Sequence, residues 1–439
     1  MHTLSPPRRP WLRRLALLTT AAAVTLSLAA APATATPSNV SPVPGTITTW
    51  GGNSAGQRDD IPTGSDYTAV AAGAGHSVAL TADGRIVAWG GNSAGQRDDI
   101  PTDSGYTAVA AGGNHSIALT ADGRIVAWGG NSAGQRDNIP TDAGYTAIAA
   151  GYDHSIALTA DGHIVAWGGN SWGQRDNIPT DAGYTAIAAG YDHSIALTAD
   201  GHIVAWGNHS WGQRDNIPTD SGYTAVAAGG NHSIALTADG HIVAWGNNDL
   251  GQRNDLPTGD GYTAIAAGLF HSVALTADGY ITAWGNTTWD QRDDLPTGDG
   301  YTAVAAGDYH SIAVDAPKTA PTVTGTPPAA KAGEPYSFTF TTTGQPAPTV
   351  THTGDLPAGL TLSTDGLLSG TPTTGGTFTF TVTATNSAGS TDLPVTLEVT
   401  PEPTPAGSAA SSNLSTSLTE LARTLVTSTV LSVETAAGS

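Results

Sequence analysis

Short apolar stretches recur along the chain in groups of three, separated by polar and glycine-rich breaks. In the copy spanning 67–90, YTAVAAGAGHSVALTADGRIVAWG, they fall at 68–72, 77–80 and 86–89. Each has strand length and is bounded by Gly or turn residues, so the pattern predicts three strands per copy. Asp83-Gly84, between the second and third stretches, is a tight-hairpin signal because Gly takes positive φ without cost. The same dipeptide recurs as far as Asp278-Gly279. Ile86-Val87-Ala88-Trp89 is apolar without alternation, which predicts a strand covered on both faces. Ala69-Val70-Ala71-Ala72-Gly73 is built of small residues, as expected where strands crowd around an axis.

The spacing is rigid. Trp50, Trp89, Trp128, Trp167, Trp206, Trp245 and Trp284 advance by 39 residues each time, and so do His76, His115, His154, His193, His232, His271 and His310. A fixed period of this length means one supersecondary unit copied in series. Pro62, Pro101, Pro140, Pro179, Pro218, Pro257 and Pro296 fall in the connections, where a missing N–H is harmless. A stacked solenoid would also repeat, but the ends of the region favour a ring. Residues 47–50 repeat the third-strand motif at its start, and the last copy, 301–314, stops after its second strand. The first strand can therefore complete the last blade and leave no open edge. The expected fold is all-β: a seven-bladed β-propeller with three-stranded blades over 45–316.

Beyond Lys318 the composition shifts to Thr, Pro and Gly. Tyr336-Ser337-Phe338-Thr339-Phe340 and Phe378-Thr379-Phe380-Thr381-Val382 alternate as half-buried strands do, which predicts a β-sandwich over 317–400. Residues 401–439 read as a linker and a short helix with Leu414, Leu418, Leu421 and Leu425 on one stripe. At the other end, Arg13 and Arg14 precede an apolar run over 15–31, and Ala33-Thr34-Ala35 supplies a small-residue cleavage site. Residues 1–35 thus read as a signal peptide, with 36–44 as a linker, and the mature protein is expected to be secreted and extracellular, from a bacterium.

The charge balance narrows the partners. The chain carries 16 Lys+Arg against 37 Asp+Glu, net −21. Without Arg8, Arg9, Arg13 and Arg14 the count is 12 against 37, near −25. Such a surface repels phosphate backbones, so no nucleic acid is expected. No later segment has about 20 consecutive apolar residues, so no membrane span is expected. Cysteine is absent, which removes disulfides, thiolate metal sites and a Cys nucleophile.

Candidate chemistry lies where the copies differ. The two residues before each repeat histidine run Ala74-Gly75, Gly113-Asn114, Tyr152-Asp153, Tyr191-Asp192, Gly230-Asn231, Leu269-Phe270 and Asp308-Tyr309. The loop after each Trp-Gly carries Trp172, Trp211, Leu250 and Trp289 where early copies have Ala55, Ala94 and Ala133. Alternating strand direction places both sets on one face, over the third to seventh blades. Aromatics free of packing duty on a rigid ring suit a binding surface; capping of the channel mouth is the competing use. Asp153, Asp192 and Asp308 would add charge for steering.

The repeat histidines occupy one slot in every copy, which points to structural hydrogen bonding. His163, His202 and His241 form a second set on the hairpin side, without HExxH-type spacing. The recurring pairs Arg58-Asp59, Arg97-Asp98 and Arg136-Asp137 are expected to bridge blades as ion pairs. Gly-x-Ser-x-Gly, phosphate-loop and EF-hand signatures are missing. The chain reads as no enzyme, without catalytic residue, metal or cofactor.

The strings HSxALTADGxIxAWGxN and GQR resemble the repeat of the regulator of chromosome condensation family across about 45–315. The resemblance implies a propeller. The 39-residue unit resembles the secreted bacterial members, which include β-lactamase inhibitory proteins, more than the nuclear ones. It further implies Tyr152, Tyr191, Phe270 and Tyr309 as contact anchors, with Trp172, Trp211 and Trp289 beside them. Leu356-Pro357-Ala358-Gly359-Leu360 with Leu368-Ser369-Gly370-Thr371-Pro372 resembles the immunoglobulin-like domain of bacterial surface proteins, which implies a spacer or an adhesion module. The expected partner is an extracellular protein of the β-lactamase type, bound by a monomer; a glycan, bound as a carbohydrate-binding or adhesion protein, is the alternative.

Overall fold

A computed structural model describes residues 43–401, which form two compact units meeting in sequence at Pro317 and Lys318. The expected signal peptide and C-terminal helix lie outside the described residues. Every element among the described residues is a strand.

The first unit begins with β1 (Thr46–Gly51) and continues with β2 (Tyr67–Ala72), β3 (His76–Thr81) and β4 (Ile86–Gly90). The last three form an antiparallel sheet in the order β2-β3-β4. The same triplet recurs as β5–β7 (106–129), β8–β10 (145–168), β11–β13 (184–207), β14–β16 (223–246) and β17–β19 (262–285). The seventh sheet joins β20 (Tyr301–Ala306) and β21 (His310–Asp315) to β1, with Thr46 opposite Asp315 and Gly51 opposite His310. The ring thus closes by the strand exchange that the sequence implies, as a seven-bladed propeller of three-stranded blades.

A blade has no core of its own. Ala69, Ala71, Val78, Leu80 and Ile86 pack against Tyr106, Val109, Ala118 and Trp128 of the next blade. The alternate residues Val70, Ala72, Ala79 and Trp89 meet Ala305, Ile312 and Val314 of the blade before. Both faces of each inner strand are therefore buried, which explains apolar runs without alternation. The third strand departs from that expectation. Val87 and Ala88 of β4 are only half-buried, because β4 is the outermost strand and neighbouring blades splay apart there. The hairpin also differs in detail. Gly84 alone is left-handed, at φ 77°, and Thr81 pairs with Arg85 by Thr81 N–H to Arg85 carbonyl, 2.9 Å. The loop is therefore the three residues Ala82-Asp83-Gly84, a type I turn followed by a left-handed glycine.

Two cyclic hydrogen-bond belts tie the blades together. Each indole N–H of the tryptophan ladder donates to the backbone carbonyl of a Gln in the preceding blade's outer loop, as from Trp89 to Gln57 at 2.9 Å. Trp50 closes that belt on Gln291 at 3.1 Å. In the second belt, each repeat histidine places Nε2 against the Ser Oγ of the next blade: His76 to Ser116, 2.8 Å, and so round to His310 and Ser77, 2.9 Å. All seven imidazoles are fully buried. Burial pulls their pKa values from 6.5 down to about 3 or 4, so they stay neutral. The ring of His76 lies so close to Gly73 that a Cβ there would sit 2.5 Å from Cε1; the small residue leaves room for the belt.

The second unit holds β22 (Thr319–Thr324), β23 (Ala330–Lys331), β24 (Tyr336–Thr339), β25 (Thr341–Gln345), β26 (Thr349–Thr353), β27 (Leu360–Leu362), β28 (Leu367–Gly370), β29 (Gly376–Asn386) and β30 (Gly389–Thr400). Sheets β23-β30-β29-β26, β24-β28-β27 and β22-β25 enclose one core that includes Phe340, Val350, Leu368, Phe380, Val382 and Leu397. Alternation of buried and exposed residues along β29 and β30 matches the sequence pattern.

Candidate functional site: an axial pit and an aromatic rim

Ala72 pairs with Ser77 and His76 with Gly90, so the turn before each repeat histidine and the loop after each Trp-Gly share one face of the ring. The two variable residues of that turn point to different places. The first of each pair, namely Ala74, Gly113, Tyr152, Tyr191, Gly230, Leu269 and Asp308, lines a pit on the ring axis, above a layer of Ala and Gly from the first strands. The second of each pair faces outward, toward the neighbouring outer loop.

In the pit, Tyr152 and Tyr191 stack with ring centroids 4.1 Å apart and planes 26° off parallel. Tyr191 Oη donates to Asp308 Oδ2 at 3.0 Å, linking the fourth blade to the seventh. Burial raises the Asp308 carboxyl to about 6, against the lowering effect of that hydrogen bond. Burial and then the Asp308 charge push Tyr191 upward. Leu269 is buried on the opposite wall.

On the rim, Gln135 and Gln174 donate their amides to Asp153 and Asp192 at 3.1 and 3.3 Å. Both carboxyls are raised, chiefly by burial, and Asp192 also by the charge of Asp153. Phe270, Trp289 and Tyr309 form a group: Tyr309 lies 6.4 Å from Phe270 and 5.4 Å from Trp289, centroid to centroid. Trp172, Trp211, Leu250 and Trp289 are 55%, 51%, 42% and 46% exposed. Burial of those side chains does not hold the ring together. The twelve sequence candidates therefore share one face but divide in two: Tyr152, Tyr191, Leu269 and Asp308 line the axial pit, and the other eight stand around it.

The opposite face carries short pairs within single hairpins. His163, His202 and His241 lie 3.1, 3.0 and 3.1 Å from Asp161, Asp200 and Asp239 of their own turns. Arg124 pairs with Asp122 at 2.8 Å in the same way. The recurring Arg-Asp dipeptides do not form the expected series of inter-blade ion pairs. Arg175 Nη1 donates to the Gly168 carbonyl at 2.8 Å, and the neighbouring Asp176 accepts from Asn170 at 2.9 Å. Both side chains brace their own loop. Between blades, Arg58 and Asp294 approach to only 3.9 Å.

Three residues of the face that carries the pit and rim escape sequence reasoning. A Cβ on Gly113 would lie 2.7 Å from Tyr152 Cδ2, and one on Gly230 would collide with the side chain of Leu269. Tyr152 and Leu269 each lean over a glycine of the preceding blade, and that pairing of copies is the signal that could have revealed them. The third is Gln291, whose Nε2 is buried without an acceptor among the described residues. Tyr309 stands where four other copies place Asn114, Asp153, Asp192 and Asn231, which accept this bond.

The twin belts, the blade closure and the 39-residue unit define a propeller of the regulator of chromosome condensation type. The Regulator of chromosome condensation (RCC1) repeat family matches residues 67–96, 106–135, 145–174, 184–213, 223–252 and 262–288, and the He_PIG family of Ig domains matches 319–400. The chain carries six RCC1 repeats and an Ig domain; the seventh blade is split between the two ends of the ring. No curated protein matches. Among solved structures, Prp20p from Saccharomyces cerevisiae is 20% identical, covering 62% of this chain and 92% of its own, with a TM-score of 0.51. Human WBSCR16 is 20% identical, covering 62% and 100%, with a TM-score of 0.50. A chain from Kap60 bound to yeast RCC1 (Prp20) is 19% identical, covering 72% and 97%, with a TM-score of 0.52. At these identities the likeness is one of fold.

Proposed function

We propose that this is an exported, non-catalytic binding protein that seats one face of its propeller on an extracellular protein. The observation that carries the reading is the one-sided set of exposed side chains, Trp172, Trp211, Leu250 and Trp289, in loops of a ring that does not need them for packing. Trp offers wide contact area with few rotors to freeze, and such residues dominate interface energetics. Rigid loops also lower the ordering cost of association. Protein binding occurs elsewhere on this fold: Prp20p is described with binding properties toward Gsp1p and histones.

In its concrete form, the partner is an enzyme of the β-lactamase type and binding inhibits it. Purified β-lactamases assayed with micromolar protein should lose activity, and Trp172→Ala with Trp211→Ala should relieve the inhibition. A panel showing no inhibition removes the enzyme, and binding to a glycan array in its place turns the reading to carbohydrate. Export is tested separately, by fractionating a producing culture and sequencing the N-terminus; protein confined to the cells with Met1 retained overturns it.

A further inference from the structure

We propose that the axial pit receives the cationic head of a lysine or arginine presented by the protein that covers this face. The proposal rests on the protein-binding reading and states what that partner must offer. Among the described residues, Asp308 is the one charged residue lining the pit. Its Oδ2 accepts from Tyr191, while Oδ1 has no donor and no cation among the described residues. The carboxylate is half-buried and has no counter-charge among the described residues, and an incoming ammonium or guanidinium supplies one.

The walls suit the same occupant. Tyr152 and Tyr191 form a stacked pair beside Asp308, and tyrosine faces attract cations through the ring quadrupole. Leu269 and Ala74, also in the lining, fit the aliphatic stem of a long basic side chain. Asp153 and Asp192 add negative charge on the rim just outside. An anionic side chain entering here would meet the Asp308 carboxylate, and a neutral one would leave it without a counter-charge. The strongly acidic chain would speed encounter with a basic patch.

The test is to pan a phage-displayed library of random 12-residue peptides on the whole protein. The expected winners carry Lys or Arg beside an aromatic residue or Leu, and which base predominates identifies the source of the cation. Resynthesis of a winner with norleucine in place of its basic residue should weaken binding about tenfold or more. That change leaves the protein untouched, so folding cannot confound it. On Asp308→Asn protein, the two peptides should bind alike. Winners without a basic residue, or equal affinity of the two peptides for the native protein, overturn the proposal and leave the protein-binding reading standing. A library that yields no binder overturns both.

Discussion

The histidine belt makes the propeller acid-labile in a way that can be counted. Seven imidazoles have folded pKa values of about 3 or 4 against an ordinary 6.5. Between pH 6 and pH 4.5 the unfolded chain binds those protons and the folded ring does not, so stability falls as pH falls. Each such group contributes about 1.4 kcal/mol per pH unit once the pH is well below 6.5. From pH 7 to pH 5 the belt loses roughly 2 kcal/mol per histidine, or about 13 kcal/mol in all. Asp308, whose carboxyl is raised to about 6, acts in the opposite sense and returns about 1 kcal/mol. The net loss is comparable with the whole stability of an ordinary domain, about 5–15 kcal/mol. The ring should therefore unfold within a narrow window between pH 6 and pH 5. Apart from Trp11, every tryptophan lies in the propeller, so urea titrations followed by fluorescence report this unit alone. The slope of unfolding free energy against pH near 5 should correspond to uptake of about six protons. Uptake of two or fewer, or belt imidazoles that titrate near pH 6.5 in folded protein by NMR, would refute the reasoning.

Other expectations concern single positions. Trp206→Phe removes the 2.9 Å bond to the Gln174 carbonyl and strands a buried acceptor; a cost of about 1–3 kcal/mol should show in urea midpoints. Gly123→Ala forces φ 78° on an L side chain and sets a Cβ 2.6 Å from the Gly144 nitrogen, so a cost of about 2 kcal/mol or more is expected by calorimetry. Trp172→Ala should leave the thermal midpoint unchanged, a shift within about 0.5 kcal/mol, while an identified partner loses affinity. Gly113→Ala should push Tyr152 off Tyr191, and the upfield ring shifts of that pair in NMR spectra should disappear; retained shifts would show that the glycine is not required.

Much of the ring was legible because period and alternation report on different things. The 39-residue step marks the blade, and uninterrupted apolar runs mark strands buried on both faces. Closure by β1 followed from an unmatched third strand at one end and a missing one at the other. Local geometry was less legible. The exposure of Val87 depends on how blades splay with distance from the axis, which residue identity does not encode. Arg175 could reach a carboxylate or a carbonyl, and only the loop path selects Gly168. At the candidate site, sequence placed the variable residues on one face but did not separate Tyr152 from Asp153. That separation follows from the turn, which sends neighbours in sequence toward the pit and toward the rim. The axial hydrogen bond from Tyr191 to Asp308 joins residues 117 apart and has no sequence signature.

The exchanged strand β1 also sets the order in which the molecule can be completed. Six blades can form from hairpins close in sequence, as their parts emerge. The seventh cannot, because Trp50 must find Gln291, 241 residues away, and Ser77 must find His310, 233 residues away. Closing a loop of that length costs about 5 kcal/mol of chain entropy relative to a free chain, a penalty that grows slowly with length. The ring therefore assembles as a chain of local steps followed by one global one. Until that last step β1 is an unpaired strand and β21 an open edge, each a template for another copy. Slow closure would favour exchange of β1 between molecules, so the seam between the first and seventh blades is where domain-swapped dimers of this protein should begin.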